Sequence, residues 1–219
     1  MPRLLFEKKE NAIWISHLDL MRVFQRAFKR AGLPLTHTQG FTPRPSVSIA
    51  LPLSVGVDSF CELLDFDLEE YTVTMDEIRS RLNAVLSAGI RVLDVYEQGR
   101  KIRDLSLLRC KITLEYDKGI PSGAVASIDG LLHRAQVIVP KKTKSGMQDQ
   151  DIISMIRNIT VTEAGEKCVV LEALICCQNP TLNPAQILLA IDMYLPQCKP
   201  EHATISRVEI YDSNESIFR

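Results

Sequence analysis

The chain has 219 residues, of which 46% are apolar and 24% charged, with 26 basic residues against 27 acidic ones. This composition is ordinary for a globular protein and excludes disorder, collagen and coiled coil as descriptions of the whole chain. Six cysteines without a dense disulfide framework, and a charged start where a signal peptide would be apolar, favour a reduced, cytoplasmic protein. Apolar stretches fall far short of the roughly 20 residues that cross a bilayer, so we expect no membrane partner.

The charge is segregated along the chain. Residues 1–50 hold 8 Lys/Arg against 3 Asp/Glu, and residues 99–160 hold 11 against 6. Residues 51–98 hold 3 against 10, and residues 161–219 hold 4 against 8. Two basic segments folded onto one face would focus a positive field, whereas the alternative is a chance imbalance among four solvated surfaces.

The first half predicts the order β-α-β-β-α-β. Ser16 is typical of a helix N-cap, and Gly32 with Pro34 ends that helix. Thr74 is typical of the cap of a second helix that runs to Gly89. The first helix has an apolar stripe at helical spacing, consisting of Leu20, Val23, Phe24, Ala27 and Phe28. Strands are predicted at Leu4–Lys9, Phe60–Leu68 and Ile90–Tyr96. The second strand region consists of two extended segments, Leu35–Gln39 and Ser46–Leu51, with a turn between them.

The second half predicts the same order. A helix capped at Ser122 runs to Arg134, a polar loop covers Lys141–Gln150, and Asp151–Ile156 is either a short helix or a strand. The remaining elements are the strands Leu108–Tyr116, Lys167–Cys177 and Thr204–Tyr211, the extended start Gln136–Pro140, and the helix Pro184–Tyr194. Two successive β-α-β-β-α-β units predict an α+β fold of two tandem ferredoxin-like sandwiches, with domains at 1–98 and 99–219.

A basic stripe follows the first helix. Arg22, Arg26, Lys29 and Arg30 lie at positions i, i+4, i+7 and i+8, opposite the apolar stripe. Such a stripe suits a phosphate backbone, because each cation that neutralises a phosphate releases a counterion. An ordinary solvated helix face is the alternative.

Two loops add further candidates for nucleic-acid binding. Gly40–Pro45 is stiffened by two prolines, and it would hold Phe41 and Arg44 where they could stack on and pair with unstacked nucleotides. Its alternative is a rigid connection whose Phe41 lies in the core. The predicted loop at Lys141–Gln150 is basic, and it either binds a polyanion or is mobile without a binding role. Its cations are Lys141, Lys142 and Lys144.

Catalytic signals are sparse. His17 and His37 would suit acid–base chemistry near neutral pH if the fold brought them together, although structural hydrogen bonds are the favoured explanation of such histidines. The sequence has no metal-ligand spacing, phosphate-binding loop, dinucleotide fingerprint or nucleophile elbow. We therefore expect no metal, no cofactor and no self-sufficient enzyme.

Four runs of the first half are distinctive: Ile15–Arg22, followed by Arg26, then Arg30–Pro34, Gln39–Pro45 and Ala50–Val57. Together they resemble a bacterial family, the radical SAM-associated (radical SAM-linked) domain of unknown function. The similarity is dense over about residues 3–97 and looser at 141–159 and 182–184. Members differ around the Gly-Phe-x-Pro turn, where this chain has Thr42 and Arg44.

The resemblance implies a stand-alone member that acts on or beside a radical SAM protein. It carries over no catalytic residues, because the activity of the family is not established. This chain lacks the C-x-x-x-C-x-x-C run of a radical SAM enzyme, so we expect it to bind no iron–sulfur cluster.

Three functional hypotheses follow. The first is a non-catalytic RNA-binding accessory module for RNA modification or processing. The second is a partner that docks on a radical SAM enzyme through the acidic 58–97 region, without RNA contact. The third is a metal-independent endoribonuclease that uses His17 or His37 as its acid–base group.

Overall fold

The computed structural model describes residues 1–143 and 146–219. Within these ranges the architecture is mixed α/β with four α-helices. The residues pack as two compact units, the first formed by Met1–Asp104 with Ile217–Arg219 and the second by Leu105–Ser216. Among the described helices, none combines the length and the apolar character that crossing a bilayer requires.

The first unit is a four-stranded antiparallel sheet with two helices. Its elements are β1 (Arg3–Lys8), α1 (His17–Arg30), β2 (Val47–Ile49), β3 (Asp58–Phe66), α2 (Met75–Asn83) and β4 (Ile90–Tyr96). Antiparallel pairing gives the strand order β4-β1-β3-β2. The segment predicted as extended at Leu35–Gln39 forms only the isolated bridges Leu35–Leu68 and His37–Pro45.

A side-chain cap and a glycine define the two ends of helix α1. The Ser16 hydroxyl accepts a hydrogen bond from the Asp19 amide at 3.2 Å, as an N-cap does. Gly32 ends the helix with a φ of +67°, a conformation that glycine adopts without strain. The buried side of the helix packs on the sheet, with the rings of Phe6 and Phe24 4.7 Å apart in edge-to-face contact. The opposite side is therefore left to solvent.

Helix α2 has the predicted cap but is shorter than predicted. Thr74 and Glu77 form a complete capping box. The helix ends at Asn83 and does not reach Gly89, because the Asn83 side chain donates to the Val92 carbonyl at 2.9 Å and accepts from the Val92 amide at 2.8 Å. These two bonds tie the end of α2 to β4.

The second unit also contains a four-stranded antiparallel sheet and two helices, together with a hairpin. Its elements are β5 (Leu105–Glu115), α3 (Ala124–Leu132), β6 (Ile138–Thr143), β7 (Gly146–Asp151), β8 (Ile156–Glu163), β9 (Cys168–Cys176), α4 (Ala185–Tyr194) and β10 (His202–Asp212). Antiparallel pairing gives the order β10-β5-β9-β8. Strands β6 and β7 pair with each other as a separate two-stranded sheet.

Two predictions for the second unit are wrong. The segment Lys141–Gln150 is not a loop, because its described residues pair in the β6–β7 hairpin, where Lys141 faces Gln148. Ser122 does not cap α3: Gly123 precedes the helix with a φ of +72°, and no side chain caps it. The undecided segment at 151–156 contains a 3-10 turn at Ile153–Met155, after which β8 begins.

The last residues of the first unit complete its core around a buried arginine. Phe218 is fully buried, and its ring lies 5.5 Å from the guanidinium carbon of Arg3 and 5.0 Å from that of Arg100. The Arg100 amide donates to the Arg219 carbonyl at 3.1 Å. Gly99 lies against Arg3 so closely that a Cβ there would clash with the guanidinium.

Candidate nucleic-acid interface

The outward face of α1 carries three exposed cations in a row, Arg22, Arg26 and Lys29. Arg22 is paired with Asp19 at 2.7 Å. The pKa of Asp19 is lowered first by the hydrogen bond from the Ser16 hydroxyl and then by the one from Arg22. Within the described ranges no side-chain partner is found for Arg26 or Lys29, so both remain available to an external anion.

Arg30, the fourth cation of the predicted stripe, has a structural contact. Its Nη2 donates to the Val85 carbonyl at 2.8 Å, and Val85 lies in the turn that follows α2. The guanidinium therefore fastens the end of α1 to that turn and contributes less to an open basic surface than its spacing predicts.

The loop after α1 holds an aromatic ring in solvent. The Thr38 amide donates to the Arg44 carbonyl at 2.8 Å, and the Arg44 amide donates to the Thr38 hydroxyl at 3.0 Å. These bonds close residues 38–44 into a loop with Phe41 near its tip. Phe41 is fully exposed and is not a core residue, and Arg44 is exposed as well. An exposed phenylalanine beside arginine can stack on an unstacked base.

A cleft of about 420 Å³ lies between the C-terminal end of α1 and the base of this loop. Its apolar lining includes Leu33 and Pro45. Lys29 comes from α1, His37 from the segment after it and Glu69 from the segment after β3. Lys29 therefore belongs both to the cationic row and to the cleft, which makes the two features continuous.

The two histidines considered as a catalytic pair are not brought together. His17 is the first residue of α1, whereas His37 lines the cleft with Lys29. Lys29 lies twelve positions after His17 on α1, which is about 18 Å at roughly 1.5 Å per residue. A direct acid–base relay between the two imidazoles is incompatible with this arrangement.

Two of the three predicted basic residues of the second unit, Lys141 and Lys142, lie on β6. The ammonium of Lys141 donates to the Thr181 carbonyl at 3.2 Å. This hydrogen bond engages Lys141 within the second unit. Lys142 is exposed. Lys144 lies outside the described residues.

Acidic residues between 58 and 97 are largely engaged within the first unit. Asp65 binds Arg3, and Glu77 belongs to the α2 capping box. Asp67 accepts from the hydroxyls of Thr36 and Tyr71, each at 2.9 Å. These carboxylates hold the unit together, which reduces the acidic surface open to a docking partner. The described residues contain no group of three or more metal-ligating side chains.

Sequence reasoning missed two polar residues of the cleft, Gln25 and Glu69. Gln25 lies four residues before Lys29 and therefore on the same side of α1, a spacing that could have indicated it. Glu69 had no local signal, because its position depends on the pairing of the segment after β3 with the segment after α1. In that pairing the Glu69 amide donates to the Pro34 carbonyl at 3.0 Å.

Comparison with known sequences connects most of the chain to one family. The model of a family described as uncharacterized protein conserved in bacteria (DUF2344) matches residues 2–184. No curated protein matches the sequence.

Comparison with solved structures finds a likeness over nearly the whole chain. A chain in the crystal structure of a Cbf5–Nop10–Gar1 complex matches with a TM-score of 0.50 and 10% identity, over 95% of this chain and 48% of that one. A chain in the structure of an H/ACA RNP bound to a substrate RNA containing 2′-deoxyuridine matches with a TM-score of 0.50 and 8% identity, over 94% and 46%. This chain spans about half the length of these solved relatives, and at such identities the likeness shows the fold alone.

Proposed function

We propose, from the premise that this chain belongs to the DUF2344 family of uncharacterized proteins conserved in bacteria, that it is a non-catalytic RNA-binding module. Its role is to assist the modification or processing of RNA in the cytoplasm. The observation that carries the proposal is the continuous surface formed by the cationic face of α1, the cleft and the Phe41 loop.

The composition of this surface favours RNA over a polyanion that is bound through charge alone. Arg26 and Lys29 offer charges with no partner in the described parts of the chain, which is what phosphate binding needs. Phe41 offers an aromatic face, and stacking on such a face recognises unstacked bases. A surface that offers both cations and an exposed ring suits single-stranded RNA in particular, since the bases of a duplex are already stacked.

The fold is consistent with this role. We propose that each unit is a ferredoxin-like sandwich, in which the strand orders β4-β1-β3-β2 and β10-β5-β9-β8 are equivalent. The β6–β7 hairpin is then an insertion in the second sandwich, and the two sandwiches are the two domains of the chain. The likeness to a chain from an RNA-bound complex concerns the fold, so the binding proposal depends on the residues of this protein.

The experiment is to measure binding of a labelled oligouridine to the whole protein by fluorescence anisotropy over a range of salt concentrations. The variant Arg26→Ala/Arg44→Ala should bind several-fold more weakly at low salt. Each phosphate contact on a single strand contributes about 0.7 to the slope of log K against log salt, so loss of two contacts should reduce that slope by about 1.4.

Arg91→Ala is the matched control, because Arg91 is an exposed arginine on β4, at the opposite edge of the sheet from β2. This variant loses a charge but should keep the affinity and the salt slope of the parent. Equal slopes for the parent and the Arg26→Ala/Arg44→Ala variant would overturn the proposed surface.

The partner that the sequence resemblance implies, a radical SAM protein, is part of the same proposal. We propose that the module presents RNA to such an enzyme. Co-purification of the two proteins should therefore decrease after ribonuclease treatment. Association that persists without RNA, and that also persists in the Arg26→Ala/Arg44→Ala variant, would favour direct docking instead.

A further inference from the structure

The cleft beside α1 holds two opposite charges that are not paired with each other. Lys29 and Glu69 both line it, yet neither side chain has an ion-pair partner within residues 1–143 and 146–219. A ligand that suits both must carry a negative charge for Lys29 and hydrogen-bond donors for Glu69. A nucleotide has this combination, because its phosphate is anionic and the edge of its base carries N–H groups.

The dimensions and the lining of the cleft suit a base. Its volume of about 420 Å³ lies near the lower end of the roughly 300–1,000 Å³ typical of small-ligand sites. Leu33 and Pro45 provide apolar surface, and His37 adds an exposed imidazole that can stack on a base. His37 is bridged to Pro45, so the two are fixed side by side at the base of the loop.

The chemistry of Glu69 discriminates among the four bases. An ionised carboxylate only accepts hydrogen bonds. Guanine presents two adjacent donors, N1–H and the exocyclic amino group, which match the two oxygens of one carboxylate. Adenine and cytosine each place one donor beside an acceptor, and uracil places its donor between two acceptors. An acceptor-only group therefore favours guanine.

We infer that the cleft binds one unstacked guanine of single-stranded RNA, with Glu69 on the donor edge of the base and Lys29 on a neighbouring phosphate. This inference rests on the proposed function and adds base specificity to it. It also explains why a carboxylate lies at the end of an otherwise cationic surface, where it would only weaken binding to phosphate alone.

The experiment compares two labelled oligouridines, one with a single central guanosine and one with a single central adenosine, by anisotropy with the whole protein. The parent should bind the guanosine oligonucleotide on the order of tenfold more tightly, as expected for one bidentate contact. In Glu69→Gln the ratio of the two Kd values should fall to about one. The ratio is informative because it cancels the general gain in affinity that follows from removing a negative charge.

Glu70→Gln is the matched control, since Glu70 is the exposed neighbouring carboxylate and does not line the cleft. It should retain the guanosine preference of the parent. If both oligonucleotides bind with equal affinity and a normal salt slope, the guanine inference is overturned and the proposed function stands. If Glu70→Gln abolishes the preference as Glu69→Gln does, the assignment to the cleft is wrong. If neither oligonucleotide binds, both the inference and the proposed function are overturned.

Discussion

Arg3 has a charged group that is almost entirely removed from solvent, with 2% of the residue exposed. Asp65 accepts from its Nε at 2.6 Å and from its Nη2 at 2.9 Å. The remaining nitrogen, Nη1, has no hydrogen-bond partner among the described residues, and the ring of Phe218 covers the guanidinium. Asp65 therefore supplies the charge and the hydrogen bonds that make burial of Arg3 tolerable.

Replacing Asp65 by asparagine should lower the free energy of unfolding by about 3 kcal/mol, because it leaves a buried cation without its counter-charge. This value is near the lower end of the usual range, since the Asp65 side chain is itself 21% exposed and water screens part of the interaction. Urea unfolding followed by circular dichroism measures the change. Asp58→Asn, on the same strand and without an ion pair in the described chain, should shift the free energy by less than about 0.5 kcal/mol. Equal losses in the two variants would contradict the account.

At the scale of single elements, the α2 capping box links stability to pH. The amide of Thr74 donates to the Glu77 carboxylate at 2.9 Å, and the Thr74 hydroxyl accepts from the Glu77 amide at 3.2 Å. The hydrogen bond from the Thr74 amide is the largest cause of a Glu77 pKa below its usual 4.5, and the next is the one that the Thr74 hydroxyl donates to the same carboxylate at 3.2 Å. Because the pKa is lower in the folded state, this stabilisation is present above about pH 4.5 and is lost as the pH falls through the lowered value.

Thr74→Ala should therefore lower the free energy of unfolding by about 1 kcal/mol near neutral pH, as expected for loss of a threonine N-cap. The difference from the parent should shrink on acidification, because protonation of Glu77 weakens the capping box in the parent as well. Urea midpoints measured from neutral pH to about pH 3 test both statements. Thr72→Ala, an exposed threonine just before the cap, should show neither effect.

Prediction from sequence succeeded for α1 and failed for the β6–β7 hairpin for one physical reason. The cap, the stop signal and the apolar stripe of α1 are all local, so a short window of sequence contains them. The hairpin is polar, and backbone pairing between its two strands holds it together, which side-chain periodicity does not indicate. The cleft is similar, because Lys29 could be found on a helix whereas Glu69 reaches it only through tertiary pairing.

At the scale of the whole molecule, the first unit is discontinuous in sequence. Its core takes Phe218 from the other end of the chain. Phe218→Ala should lower the free energy of unfolding by about 3–5 kcal/mol, the usual cost of removing a fully buried phenylalanine. Urea unfolding measures this, with Ile217→Ala as the control, since Ile217 is largely exposed. A loss no larger than that of the control would show that Phe218 is not part of the core.

This discontinuity sets an order of events during protein synthesis. A ribosome must translate the whole of Leu105–Ser216 before it reaches the phenylalanine that completes the first unit. A nascent chain that ends before Ile217 lacks the ring that lies over the Arg3 guanidinium. The first unit to be translated is therefore the last to acquire its full stability.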